Sequence, residues 1–267
     1  MEIYKAKVLG FCYGVKRAMK IAENAANSGI KAVTYGPIIH NPQVVKRLAD
    51  KGVHPVDDLE NLTDETVIIR SHGVGPSCYN MLKCKNLALM DATCPFVKRN
   101  QEITKELVED GKKVVLIGEK KHPEMKSVAE WAVGHSFMVE TMDDVNGLPS
   151  MEEAHIVIQT TFSVALADKL INAIRQKVKQ VYVHKSICDA TMQRQQAARE
   201  LARKVDVMIV IGGRNSANTG RLAEVCKSEG AAVHHIETAD ELKSEWFKSR
   251  DKIGITAGAS TPDWIIE

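Results

Sequence analysis

Three of the six cysteines sit in matching contexts: "GFCYGVKRAMK" around Cys12, "DATCPFVKRNQ" around Cys94 and "SICDATMQRQQ" around Cys188. Each follows a short apolar run and precedes a helical pattern. That position favours thiolate, because free N–H groups and the helix dipole stabilise negative charge there. Three convergent thiolates call for a metal. Zinc wants a fourth ligand, which a histidine would supply. A cubane iron–sulfur cluster takes four cysteines, so three leave one iron open to a substrate. Iron–sulfur is the better match to three thiols, and zinc stays open. Cys78, Cys84 and Cys226 lack the shared context and read as small buried residues.

Fixed steps tie other chemistry-bearing residues to these cysteines. Twenty-four residues on lie Gly36, Gly118 and Gly212; twenty-eight on lie His40, His122 and Ser216. The surrounding loops are rich in neutral or cationic donors: His40, Asn41, Ser71, His72, His122, Thr160, Thr161, Asn215, Ser216, Asn218 and Ser260. Such donors near helix starts suit an anion, most naturally phosphate or diphosphate. Glu124 is read as the lone carboxylate of the matched loops, suited to proton transfer. Taken singly, Ser216 and Ser260 are equally well explained as helix N-caps.

The elements that must position these residues alternate. "EIYKAKV", "NLALMD" and "VYVHKSI" read as strands leading into the cysteines, and "VKRNQEITKELVEDG" typifies the helices that follow. Strand–helix alternation predicts α/β units with parallel sheets. The spacing predicts three similar units, 1–94, 95–187 and 188–267, arranged as a pseudo-threefold trefoil. The third is short, stopping about where a helix is expected to begin, and the N-terminal strand is a candidate to complete it. Ligands bind outside the carboxyl ends of parallel strands. The cysteines, the glycine loops and the closing runs "IIRSHGV", "VIQTTFSV" and "GITAGAS" all fall at such ends, so the loops are expected to face one centre.

Composition narrows the class. A net charge of +2 and 26% charged residues argue against nucleic acid or a membrane surface as partner. No run approaches a membrane-spanning length, and "MEIYKAKVLGF" has no signal-peptide core, which together predict a cytoplasmic protein with reduced thiols.

The motifs "GFCYGVKRA", "GPIIHNPQVV", "RSHGV", "DATCPFV", "HPE", "QTTFSV", "NSANTGRL" and "TAGASTPDW" span nearly the whole chain. In these the chain resembles the 4-hydroxy-3-methylbut-2-enyl diphosphate reductases of the non-mevalonate isoprenoid pathway. The resemblance implies a 4Fe–4S cluster, one per chain, on Cys12, Cys94 and Cys188, at the centre of the trefoil. It implies that His40, His72 and His122 bind substrate, that Ser216, Asn218 and Ser260 bind its diphosphate, and that Thr160 lies near its alcohol. Glu124 is implied as the proton-delivering acid. Some members have a second serine after Ser216 where this chain has Ala217, whose backbone N–H still donates. The implied reaction is a reductive dehydroxylation to isopentenyl and dimethylallyl diphosphate, by two single-electron transfers. With no nicotinamide fingerprint, a protein donor such as ferredoxin or flavodoxin is expected. Two other classes compete: a non-catalytic iron–sulfur or zinc sensor, which needs no acid, and a zinc hydrolase of phosphate esters.

Overall fold

The computed structural model describes residues 1–267. The chain opens with β1 (Glu2–Lys5), α1 (Tyr13–Asn27), β2 (Ala32–Tyr35), α2 (Pro42–Ala49), β3 (His54–Val56), β4 (Thr66–Ile69), α3 (Pro76–Cys84) and β5 (Leu89–Asp91). It continues through α4 (Pro95–Glu109), β6 (Val114–Ile117), α5 (Pro123–Glu130), β7 (Ser136–Val139), α6 (Met142–Asn146), β8 (Glu153–Ile158), α7 (Val164–Lys177) and β9 (Gln180–Val183). It ends with α8 (Asp189–Ala202), β10 (Val207–Ile211), α9 (Ala217–Ser228), β11 (Ala232–Ile236), β12 (Lys252–Ala257) and α10 (Asp263–Ile266).

The strands form three four-stranded sheets, ordered β3-β2-β4-β5, β7-β6-β8-β9 and β1-β12-β10-β11. Every pairing is parallel. Read from the opposite edge, the third sheet is β11-β10-β12-β1, so each sheet repeats one order and β1 fills the fourth place of the last. The predicted α/β class with three parallel-sheet units is what the chain adopts.

The residues group into two compact units. The first is Met1–Lys16, Ile39–Val44 and Cys188–Glu267; the second is Arg17–Ile38 and Val45–Ile187. In the first, β10 ("VMIVI") is buried along its whole length. Its Met208 and Val210 pack with Ala198, Ala202, Leu222, Ala223 and Cys226 of α8 and α9. Its Val207, Ile209 and Ile211 pack on the other face with Ile236, Ile253 and Ala257. A strand covered on both faces reads as a continuous apolar run, which is why no alternation shows there.

In the second unit β6 ("VVLI") behaves in the same way. Val115 and Ile117 join a core with Leu170, Ile171 and Ile174 of α7. Val114 and Leu116 join one with Met125 and Val128 of α5. The other sheet buries Val67 and Ile69 against Cys78 and Leu82 of α3. Cys78 and Cys226 are buried as expected, but Cys84 is exposed. It is the last residue of α3 and lies two residues beyond buried Leu82, on the helix's opposite face.

Candidate active site

In the second unit, β5 delivers the chain to Cys94, the N-cap of α4, with Pro95 at the first helical position. Proline suits that place, since its missing N–H has no intrahelical partner to lose. The Cys94 amide donates to the Ser71 carbonyl at 2.9 Å, and its carbonyl accepts from Lys98 N at 2.9 Å. The Ser71 hydroxyl donates to the Ile38 carbonyl at 3.0 Å, holding the "RSHGV" loop after β4.

His122 is the N-cap of α5, and its Nδ1 accepts from the Glu124 amide at 3.1 Å. Nδ1 as acceptor leaves Nε2 to carry the proton and donate. The His72 ring meets that of His122 edge to face, with centroids 5.4 Å apart. Ser127 Oγ lies 2.8 Å from the Glu124 carbonyl and 3.0 Å from the His72 carbonyl, tying the two loops together. Gln101 of α4 donates to the same hydroxyl at 3.1 Å.

Glu124 is 1% exposed. Its Oε1 accepts from the Thr160 amide and its Oε2 from the Thr160 hydroxyl, both at 2.7 Å. Burial pushes its pKa up to about 7 against the two Thr160 hydrogen bonds, which pull it down, with a smaller upward push from Glu119. Desolvation wins because the carboxylate has no cation beside it. Glu124 is thus not the lone acid of the matched loops. Glu119 also lies there, its amide held by Gln159 Oε1 at 2.9 Å. Gln159 is fully buried and donates on to the Thr161 hydroxyl at 3.0 Å. It opens the "QTTFSV" motif directly after an apolar strand, but nothing in the sequence marked its hold on Glu119.

In the first unit, Cys188 is the N-cap of α8, and its Sγ accepts from the Thr191 amide at 3.4 Å. The Cys12 amide donates to the Ala259 carbonyl at 3.2 Å, and the Cys12 carbonyl accepts from Lys16 N at 2.9 Å, starting α1. Ser216 is the N-cap of α9, its Oγ accepting from Thr219 N at 3.3 Å. Ser260 caps no helix. Its hydroxyl lies 3.1 Å from the His40 carbonyl and 3.3 Å from Ser216 Oγ. Asn218 is buried, and its Nδ2 has no hydrogen-bond partner. Ala217 begins α9, where backbone N–H groups lack intrahelical acceptors. Asn41 is buried and caps α2, accepting from Val44 N at 3.1 Å.

Each unit therefore holds its own share of the candidate residues. The first has Cys12, Cys188, His40, Ser216, Ala217, Asn218 and Ser260; the second has Cys94, His72, His122, Glu124 and Thr160. None of the six cysteines is in a disulfide. No helix is long and apolar enough to cross a membrane.

Comparison with known proteins identifies the family. The family model described as LytB protein matches residues 3–267. A 4-hydroxy-3-methylbut-2-enyl diphosphate reductase of Geobacter sp. (strain M21) is 46% identical over 268 residues, spanning 100% of this chain and 95% of the relative. The reductase of Geobacter sulfurreducens is 47% identical over 267 residues, with the same coverage. A solved structure of (E)-4-hydroxy-3-methyl-but-2-enyl diphosphate reductase, the terminal enzyme of the non-mevalonate pathway, aligns with TM-score 0.73 at 45% identity. It covers 100% of this chain and 96% of its own. The reductase structure from Plasmodium falciparum aligns with TM-score 0.95 at 28% identity, over 99% of this chain and 85% of its own. The chain belongs to the LytB family, the 4-hydroxy-3-methylbut-2-enyl diphosphate reductases, which are oxidoreductases.

Proposed function

We propose that the chain removes the C4 hydroxyl of 4-hydroxy-3-methylbut-2-enyl diphosphate. Two electrons and two protons enter; water leaves with the hydroxyl oxygen. Protonation at one end of the allyl unit yields isopentenyl diphosphate and at the other dimethylallyl diphosphate.

Cys12, Cys94 and Cys188 would hold a 4Fe–4S cluster. Their chemistry suits it: each is a partly exposed cysteine outside any disulfide, at the start of a helix. The other cysteines are poorer donors. Burial raises the Cys78 thiol to about 11 and the Cys226 thiol to about 12, and Cys84 is at the surface. When bound, such a cluster supplies electrons singly and a Lewis-acidic iron. The electrons come from an external protein donor of the ferredoxin or flavodoxin class.

The remaining work falls to the protein. The hydroxyls of Ser216 and Ser260, the unpartnered amide of Asn218 and the backbone N–H of Ala217 bind the diphosphate. His40, His72 and His122 add donors along the substrate. Holding the diphosphate far from the reacting carbon orients the C4 hydroxyl and supplies positioning energy. Glu124, half protonated near neutrality, gives its proton to the departing oxygen through the Thr160 hydroxyl.

The observation that carries this reading is the buried Glu124–Thr160 pair. A sensor or a structural cluster has no use for an acid kept near pKa 7 in a dry site. The test is Glu124→Gln in anaerobically purified protein. The expected result is unchanged iron and sulfide content with turnover reduced about 10²–10⁴-fold. Undiminished turnover overturns the proton role, and zinc without iron or sulfide in the wild type overturns the redox reading.

A further inference from the structure

Arg194 lies on α8, six residues beyond Cys188, and is 4% exposed. Its Nε and Nη2 both donate to the Gly10 carbonyl, at 3.1 and 2.6 Å, and its Nη1 donates to the Ala190 carbonyl at 3.0 Å. No carboxylate pairs with it. Burial lowers the pKa of its guanidinium, and the neighbouring sulfurs of Cys12 and Cys188 act against that fall. A buried guanidinium with only carbonyl partners is costly unless an anion balances it. Here the groups that oppose the cost lie on two of the three cysteines that carry the cofactor reading.

The mechanical role is equally local. Gly10 has φ +74°, and its amide donates to the Ala257 carbonyl at 3.3 Å. It therefore forms the turn that aims Cys12, two residues on. Arg194 grips that turn from the helix that Cys188 begins. A related device recurs at Arg17 of α1, five residues beyond Cys12. Its Nη1 and Nη2 donate to the carbonyls of Thr93 and Asp91, at 3.1 and 3.0 Å, immediately before Cys94. At the step equivalent to Arg194, α4 carries Asn100, which donates to the Ile158 carbonyl at 3.0 Å. The six-residue step thus carries a cation after Cys188 and an amide after Cys94.

We infer that Arg194 is a positioning residue for the cofactor: it locks the Cys12 turn to the Cys188 helix and fixes a positive charge at that junction, which would raise the reduction potential of a cluster bound there. This rests on the iron–sulfur reading above. Each one-electron reduction adds a negative charge to the cluster, so a cation nearby favours the reduced form.

The test compares wild type with Arg194→Met and Arg194→Lys in the full chain. Cluster content is measured first, then the midpoint potential by EPR-monitored titration against dithionite. Amide exchange over residues 8–14 is measured in protein without the cluster. Arg194→Met is expected to lower the midpoint potential by about 59 mV or more, a tenfold change in a one-electron equilibrium. It is also expected to speed exchange over residues 8–14 at least about tenfold, since two of the bonds to the turn are lost. Arg194→Lys keeps the charge without the planar fork, so it is expected to retain the potential while losing the exchange protection. Should Arg194→Met load no cluster while Arg194→Lys loads one, the charge role is supported. An Arg194→Met protein with a full cluster and an unchanged potential overturns the electrostatic role, and unchanged exchange overturns the brace. A wild-type chain that takes up no iron and sulfide fails the three-cysteine reading itself, a different result from either.

Discussion

Glu124 shows how one residue's surroundings set its chemistry and its cost. A buried carboxyl whose pKa stands near 7 binds its proton more tightly in the folded chain than in the unfolded one. Its stabilising contribution is therefore complete below the ordinary carboxylate range and is lost as pH rises through about 7. Glu124→Gln removes this dependence. The glutamine can still accept from the Thr160 amide and donate to the Thr160 hydroxyl. The variant is expected to gain on the order of 3 kcal/mol over the wild type at about pH 8 and little at about pH 5. Urea denaturation of the two proteins at both pH values, without cofactor, measures this difference. Turnover of the wild type is expected to fall on the alkaline side of about pH 7, because the acid must be protonated to act. A stability difference that does not vary between those pH values excludes a raised Glu124 pKa.

At the scale of elements, one sequence feature served three structural needs. The 24-residue step put glycines after β2, β6 and β10, and each is required, but for different reasons. Gly36 has φ +70° and sits against the Arg70 guanidinium. Gly118 has no unusual φ; a side chain there would strike Met125 Sδ at 2.7 Å and Gln159 Cβ at 2.9 Å. Gly212 has φ +147°, and a Cβ would lie 2.5 Å from Thr261 Oγ1 and 2.7 Å from Thr219 Oγ1. The strands and cysteine-headed helices were legible because local period and capping chemistry specify them. The roles of Arg194, Glu119 and Gln159 were not, because each depends on a neighbour many residues away. Cys84 was misjudged because it was read by residue type alone: two residues beyond buried Leu82, it falls on the opposite face of α3. Gly212→Ala is expected to cost about 2–4 kcal/mol by denaturation, since it meets both a forbidden φ and a clash. It is also expected to weaken binding of inorganic diphosphate at least about tenfold in calorimetry, because Thr219 donates its amide to Ser216. Ser216→Ala, which loses only the cap and one hydroxyl, is expected to cost about 1 kcal/mol. Equal costs for the two would mean that the glycine's conformation is not under constraint.

For the molecule as a whole, the question is why the repeat read along the chain does not coincide with its compact units. The sheets explain it. Each has one strand order, and the place filled by β5 and β9 in the first two sheets is filled in the third by β1, from the opposite end of the chain. Glu2 pairs with Lys252 and Lys5 with Ile255. The first unit therefore cannot complete its sheet from neighbouring segments, whereas the sheets of the second close over residues 32–91 and 114–183. Long-range parallel pairing carries a loop-closure cost before contacts repay it. Ala6 is the place to probe this: it is 4% exposed and its amide donates to the Ile255 carbonyl at 2.8 Å. Ala6→Pro removes that donor and crowds a buried position. Hydrogen exchange in β10 and β12 is expected to show a loss of about 2–4 kcal/mol of protection. The amides of β6 and β8 are expected to stay within about 0.5 kcal/mol, as for independent sites. Because Gly10 and Cys12 bond to the carbonyls of Ala257 and Ala259 at the end of β12, the same variant is expected to hold less iron after reconstitution. Equal loss of protection in β6 would mean that the two units unfold as one, and that β1 secures more than the sheet it completes.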